Sequence, residues 1–408
     1  MIPDPHILIF EPESNGHQMN YIRYLLNGAG TYMKNIHVTL LTSSEAAEHP
    51  NCQSLISEFS GLIRLRIAPP RNDENRIYRA LGPFYERQWR HAELFARGFA
   101  EIGHDTVDFV ILPHLEAIGL LQLALRPGLF HGKPWAAIAH AIRFHHRRSG
   151  VEEPFRALDI LQHLFAWKVF RDPDLVCLAS SDPYLARATG NPKIVFAPDP
   201  CTPPRLTNMA AARAAYGIQP QTCLILVFGF IDRRKCVDVL LEGVARVVPE
   251  LDLTVLLAGA QNPAHLKAAL SGEAARKLRD LGRLVEVNRF INYDLDIDPM
   301  SAADIVWLFY ERDFVRNSAV LTQSGLAGLP VIARRQGLVG RQVEEHQLGL
   351  ALSTDAPDVI AAALSQLARD PALRRKMGEN GARTFAANTP ENFAGPIVDA
   401  ISRALSAR

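Results

Sequence analysis

The chain has 408 residues, 48% hydrophobic and 21% charged, with 44 Lys and Arg against 43 Asp and Glu for a formal charge of +1. This is the balance of a folded globular protein of two or three domains, and it excludes a mainly disordered chain. The near-neutral total supplies no global field for nucleic acid or anionic lipid, so no nucleic-acid partner is expected.

In chain order, short apolar runs alternate with stretches of helical period. The first set is HILIF (6–10), HVTLLT (37–42), LIRLRI (62–67), TVDFVIL (106–112), WAAIAH (135–140), LVCLAS (175–180) and KIVFA (193–197). GHQMNYIRYLLN and ERQWRHAELFARGFAEI are examples of the helical segments between them. The pattern pauses at PDPCTPPRLTN (198–208), where four Pro in eleven residues predict a linker. It restarts with CLILVF (223–228), LTVLLAG (253–259), RLVEV (283–287), DIVWLFY (304–310), PVIAR (330–334) and LGLAL (348–352). Two helical stretches, about 356–369 and 390–407, close the chain. Near-continuous apolar strands alternating with helices predict parallel sheets covered on both faces. The expectation is α/β: two doubly wound Rossmann-like domains facing across a cleft, at 1–198 and 209–385, with a C-terminal helix in 386–408 packing back towards the first.

Five Cys show no CxxC and no zinc spacing, which fits a reducing compartment. The N-terminus MIPDPHILIF has no basic region and no long apolar core, so no signal peptide is expected. No apolar run is long enough for a transmembrane segment. Cytoplasmic residence follows, with peripheral attachment at the inner membrane face left open.

Four segments could carry chemistry. In FYERDFVRNSAVLTQSGLAGLPVIA (309–333) a strand enters a polar loop, and Asn317 and Ser318 precede a helix beginning at Ala319. The first turn of that helix offers unpaired N–H groups and a positive dipole end, the makings of a phosphate site. The same residues equally describe a capped helix without a ligand. In VFGFIDRRKCVDVLLEGVARV (227–247) the strand ends at Gly229, and Arg233, Arg234 and Lys235 stand before a helix. Cations there oppose the macrodipole, and a bound anion would resolve the conflict; a solvated surface turn would also accommodate them. Two candidate anion sites in one domain suggest a diphosphate bridging them. In FEPESNGHQMNYIRYLL (10–26), Gly16 permits close backbone approach and His17 opens a helix, though either could be structural. IAHAIRFHHRRSG (138–150) places His140 at a strand's carboxyl end. The remaining His and Arg of that segment could line the cleft, meet a membrane surface or be solvated. Asp294, Asp296 and Asp298 alternate in NYDLDIDPM, but Asp in turns commonly caps helices, so no metal is assigned.

Taken together, these segments resemble glycosyltransferase family 4, of the GT-B fold. FGFIDRRKCVDVLLEGVARV is similar to the family's strand-glycine, Lys-Gly and D-x-L-L run. SAADIVWLFYERDF…NSAVLTQSGLAGLPVIA is similar to its aAD strand and S-x-V-L…A-G-x-P-V-I-A segment, and RRQGLVGRQVEEHQLGLAL to the run that follows. In this alignment Val315 and Gln323 stand where the family carries two Glu. Phe230 replaces its Arg, and Cys236 the Gly after its Lys. The resemblance implies a hexosyltransferase-type enzyme using a UDP- or GDP-linked sugar, retaining and metal-independent, with no other cofactor. It also implies an acceptor that is a saccharide, a lipid-linked sugar or a small molecule. In this reading Lys235, Arg234 and His140 are catalytic, while Gly16, His17, Gly229, Arg233, Arg289, Asn317, Ser318, Ala319 and Gln323 hold the donor. Lys235 is expected to be a surface residue. The alternatives are an epimerase or hydrolase of the same fold, or a binding protein without catalysis.

Overall fold

A computed structural model describes residues 4–14, 18–30, 36–69, 75–292 and 296–406. The chain divides into two units. The first comprises residues 1–149, 155–200 and 388–408; the second comprises 150–154 and 201–387.

The first unit contains β1 (His6–Phe10), β2 (His37–Thr42), β3 (Ile63–Ile67), β4 (Phe109–Leu112), β5 (Trp135–Ala139), β6 (Leu175–Ser180) and β7 (Ile194–Phe196). They form one parallel sheet in the order β3-β2-β1-β4-β5-β6-β7. Alternate residues of β1 serve opposite cores. Leu8 and Phe10 pack with Phe95 and Phe99 on one face, and Ile7 and Ile9 pack with Met19, Ile22 and Phe393 on the other. Both faces are therefore dry, which is why the strand reads as an unbroken apolar run. The C-terminal helix Pro390–Ser406 is part of this second core, against the helix Gln18–Ala29.

The second unit contains β8 (Cys223–Phe228), β9 (Leu253–Ala258), β10 (Leu284–Val287), β11 (Ile305–Leu308), β12 (Val331–Arg334) and β13 (Gly349–Leu352), ordered β10-β9-β8-β11-β12-β13. All pairs are parallel. Residues 199–208 contain neither helix nor strand. One helix escapes the sequence reading. Pro371–Phe385 (PALRRKMGENGARTF) carries two interior glycines, which lower helix propensity. Its packing requires them: a Cβ at Gly378 would lie 1.9 Å from the Gly328 carbonyl oxygen, and one at Gly381 2.7 Å from Gly325 Cα.

In each sheet the chain reverses its direction of growth once, between β1 and β4 and between β8 and β11. Helices diverge there and leave a crevice at the strands' carboxyl ends, where ligands of such sheets bind.

Candidate functional site

At the second sheet's reversal point, β8 ends at Phe228 and β11 at Leu308. Gly229 follows β8 with φ +88°, and Gly259 follows β9. A Cβ at Gly259 would lie 1.9 Å from the Gly229 carbonyl oxygen, so these two strand ends meet backbone to backbone. Arg233–Lys235 then form a single turn of 3-10 helix, anchored to β11 and to the loop that follows it. Glu311 N donates to the Arg234 carbonyl (2.9 Å), and Trp307 Nε1 donates to the Lys235 carbonyl (2.9 Å).

Lys235 is buried, at 6% exposure, rather than on the surface. Its Nζ lies 5.3 Å from the centroid of the Tyr310 ring. No carboxylate pairs with it among the described residues. Tyr310 lies just past the end of β11, stacked on Phe314 at 4.1 Å, and its hydroxyl bonds Ser318 Oγ at 2.9 Å. Ser318 precedes the helix Ala319–Leu326 as its N-cap residue; its side chain caps no backbone N–H, and its hydroxyl is paired with Tyr310 instead. The two segments read from the sequence as candidate anion sites are thus joined by one aromatic ring.

Three of the expected site cations, Arg233 and Arg289 of the donor set and Arg234 of the catalytic set, are already held by acids. Arg233 pairs with Glu311, Arg234 with Asp232 at 2.8 Å, and Arg289 grips Asp296 with two bonds of 2.6 Å. These carboxylates, with Asp232 also accepting from Arg234 N, relieve the conflict of cations before a helix N-terminus. Sequence reasoning missed Arg334, at the end of β12. It is buried, donates to the Tyr310 carbonyl (2.7 Å), contacts Asp355 (3.3 Å) and lies over the Phe309 ring (4.1 Å). Its signal was its position at the carboxyl end of a strand, the same signal that singled out His140. Asn317 accepts from Gln342 (2.7 Å). Gln323 is half-buried, and its amide makes no hydrogen bond among the described residues. Val315 is buried. Cys236, where the resemblance has Gly, adopts φ +44° and ψ +51°, a left-handed conformation that glycine takes without strain. Asp298 accepts from Met300 N (2.9 Å) as a turn cap; Asp294 lies outside the described residues.

The first sheet's reversal point carries a second polar cluster. Glu11 follows β1, His114 follows β4 and His140 follows β5. His114 Nδ1 lies 2.6 Å from Glu11 Oε2, and its ring stacks on His140 at 4.5 Å. Tyr21 contacts both rings and donates to Asp199 (2.6 Å). Glu116 accepts from the backbone N–H groups of His140 (2.7 Å) and Ala141 (2.6 Å), fixing the strand end. Gly16 and His17 lie outside the described residues. The neighbouring His145 and His146 both bond Asp182, at 2.8 and 3.1 Å, and this buried trio is the one group among the described residues whose donor atoms could share a metal ion. Burial alone would raise the Asp182 carboxyl, but the two histidines outweigh it and hold it at about 2.

Burial raises the Glu11 carboxyl above its usual 4.5. Burial would lower His114, but the hydrogen bond and charge of Glu11 prevail and raise it above 6.5. Both groups therefore bind protons more tightly folded than unfolded, so stability falls as pH rises. The loss begins near 4.5 with Glu11 and ends above 6.5, once pH has passed His114's folded value. Thermal melts across this window should show that slope, and an E11Q/H114Q variant should flatten it. An unchanged slope in the variant would place the titration elsewhere.

Residues 222–370 match the family model described as glycosyl transferases group 1. The D-inositol 3-phosphate glycosyltransferase of Corynebacterium urealyticum is 27% identical over 198 residues, covering 46% of this chain and 45% of that protein. The chain thus spans less than half the length of such curated relatives. Sucrose-phosphate synthase from Thermosynechococcus elongatus superposes with a TM-score of 0.66 at 19% identity, over 99% of this chain and 100% of the other. Anabaena Alr3699/HepE, solved in complex with UDP and glucose, gives 0.62 at 13% identity, over 98% and 100%.

Proposed function

We propose that this protein, which has a GT-B fold and matches the family model of glycosyl transferases group 1 over residues 222–370, transfers a sugar from a UDP- or GDP-linked donor to an acceptor hydroxyl. The observation that carries the reading is Tyr310, which holds Lys235 over its ring and Ser318 at its hydroxyl. A diphosphate spanning that ring would meet a cation lacking a carboxylate partner at one end and the first turn of Ala319–Leu326 at the other. As the glycosidic bond breaks, charge grows on the leaving diphosphate. Lys235 and the helix N-terminus stabilise it without reorganising, which supports a metal-independent reaction. Arg233 and Arg234 would exchange their carboxylate partners for phosphate oxygens. The retaining stereochemistry is implied by the resemblance. UDP in the Anabaena neighbour supports a uridine donor. The Glu11–His114–His140 cluster is our candidate for acceptor contact, and a cytoplasmic location fits a nucleotide-sugar substrate.

Calorimetric titration with UDP and GDP, followed by transfer from a radiolabelled donor, tests the proposal. Donor consumed without transfer to any acceptor would point instead to an epimerase or hydrolase. Binding without turnover would mean a non-catalytic protein. Within this reading the free Gln323 amide bonds the donor ribose. Gln323→Leu should weaken nucleotide binding by about 0.5–1.5 kcal/mol, the net worth of one neutral hydrogen bond. Unaltered affinity would remove Gln323 from the donor site.

A further inference from the structure

The helix Leu158–Val169 (LDILQHLFAWKV), in the first unit, buries Ala166 and Val169 against the sheet yet is apolar on its opposite face as well. Ile160, Leu161, Leu164 and Trp167 are between 47% and 59% exposed. At 3.6 residues per turn they fall on one arc of about 120°, with Leu158 just beyond it. Lys168 is the one charge within that arc. A helix apolar on all sides is normally covered, and a contiguous exposed patch of large apolar side chains marks a contact surface.

The patch is flanked mainly by basic residues. Residues 143–171 carry six Arg and Lys against three Asp and Glu; the next two acids, Asp172 and Asp174, are half-buried, and Asp172 accepts from Trp135 Nε1 (3.3 Å). Arg147, Arg148, Lys168 and Arg171 are exposed. The helix has one acid, Asp159, which is turned from the patch and bound to Arg143 at 2.9 Å. The Arg171 guanidinium lies 3.5 Å from the Trp167 ring centroid, an aromatic–cation pair of the kind suited to a headgroup layer. Two copies meeting through this face would bring basic residues together, whereas anionic headgroups would neutralise them. No helix among the described residues is long and apolar enough to cross a membrane. A helix of 12 residues, about 18 Å long, suits a position in the plane of the interface.

We propose that Leu158–Val169 is a membrane-docking helix that lays Ile160, Leu161, Leu164 and Trp167 into an anionic lipid surface, with Lys168 and Arg171 at the headgroups. Trp167 supplies a built-in probe. The other three tryptophans, Trp89, Trp135 and Trp307, are no more than 8% exposed. Phosphatidylcholine vesicles containing phosphatidylglycerol should shift Trp167 emission to the blue, and brominated lipid should quench it. L161E/L164E should retain the melting temperature, because both side chains are exposed, and lose at least about tenfold in vesicle partitioning. K168E/R171E or raised ionic strength should also weaken binding. Unchanged Trp167 emission with anionic vesicles would overturn the proposal, as would equal binding to pure phosphatidylcholine. A lipid-free dimer abolished by L161E/L164E would overturn it too, since the face would then be a contact between copies.

Discussion

Lys235→Met should lower sugar-transfer turnover by about 100- to 1000-fold while leaving the second unit folded, the usual loss when one preorganised group facing developing charge is removed. Methionine suits this test because Lys235 is buried, and a truncation to Ala would open a void beneath Tyr310. Met keeps a stem of nearly the same length and shape, with sulfur in place of the Cδ methylene, and removes the ammonium. A volume-conserving swap of this kind costs less than about 1.5 kcal/mol in stability. Turnover and donor affinity separate two roles. A drop in turnover with donor affinity retained assigns Lys235 to the transition state, whereas equal losses in binding and kcat/KM would make it a ground-state contact. Normal turnover in the variant would falsify the assignment and turn attention to Arg334, the buried cation bound to the Tyr310 carbonyl.

The second large effect is structural. Gly259→Ala should destabilise the second unit by about 3 kcal/mol, because the new methyl group must displace the Gly229 carbonyl that it would otherwise approach to 1.9 Å. At about 2–4 °C per kcal/mol for a unit of this size, the melting temperature should fall by about 6–12 °C. Gly229→Ala is the control. A Cβ there meets nothing within 4 Å, and only its φ of +88° opposes the change. Its cost should be about 1–2 kcal/mol. Differential scanning calorimetry of the two variants should rank Gly259→Ala as the more damaging. Equal shifts would mean that the strand ends separate freely, and the turn carrying Arg233–Lys235 would then lack a rigid support.

Much of this architecture is written along the chain because parallel strands are buried on both faces. All thirteen strands among the described residues coincide with apolar runs legible in the sequence, with ends that differ by up to a few residues. The helix Pro371–Phe385 was illegible for the opposite reason. Its glycines argue locally against a helix, and only the close approach of Gly328 and Gly325 explains them. The turn at Arg233–Lys235 and the helix start at Ser318 were visible as local charge and capping patterns. What joins them was not, because Tyr310 reads as the last apolar residue of a strand until β11 lies beside β8. Glu11, His114 and His140 likewise stand far apart in sequence and meet because β1, β4 and β5 are neighbours. The sequence alone determined the alternation of strands and helices, through local hydrophobic period and turn chemistry. Which polar groups share a site was decided by the order of strands in each sheet, because long-range pairing brings distant strand ends together and leaves no local signal.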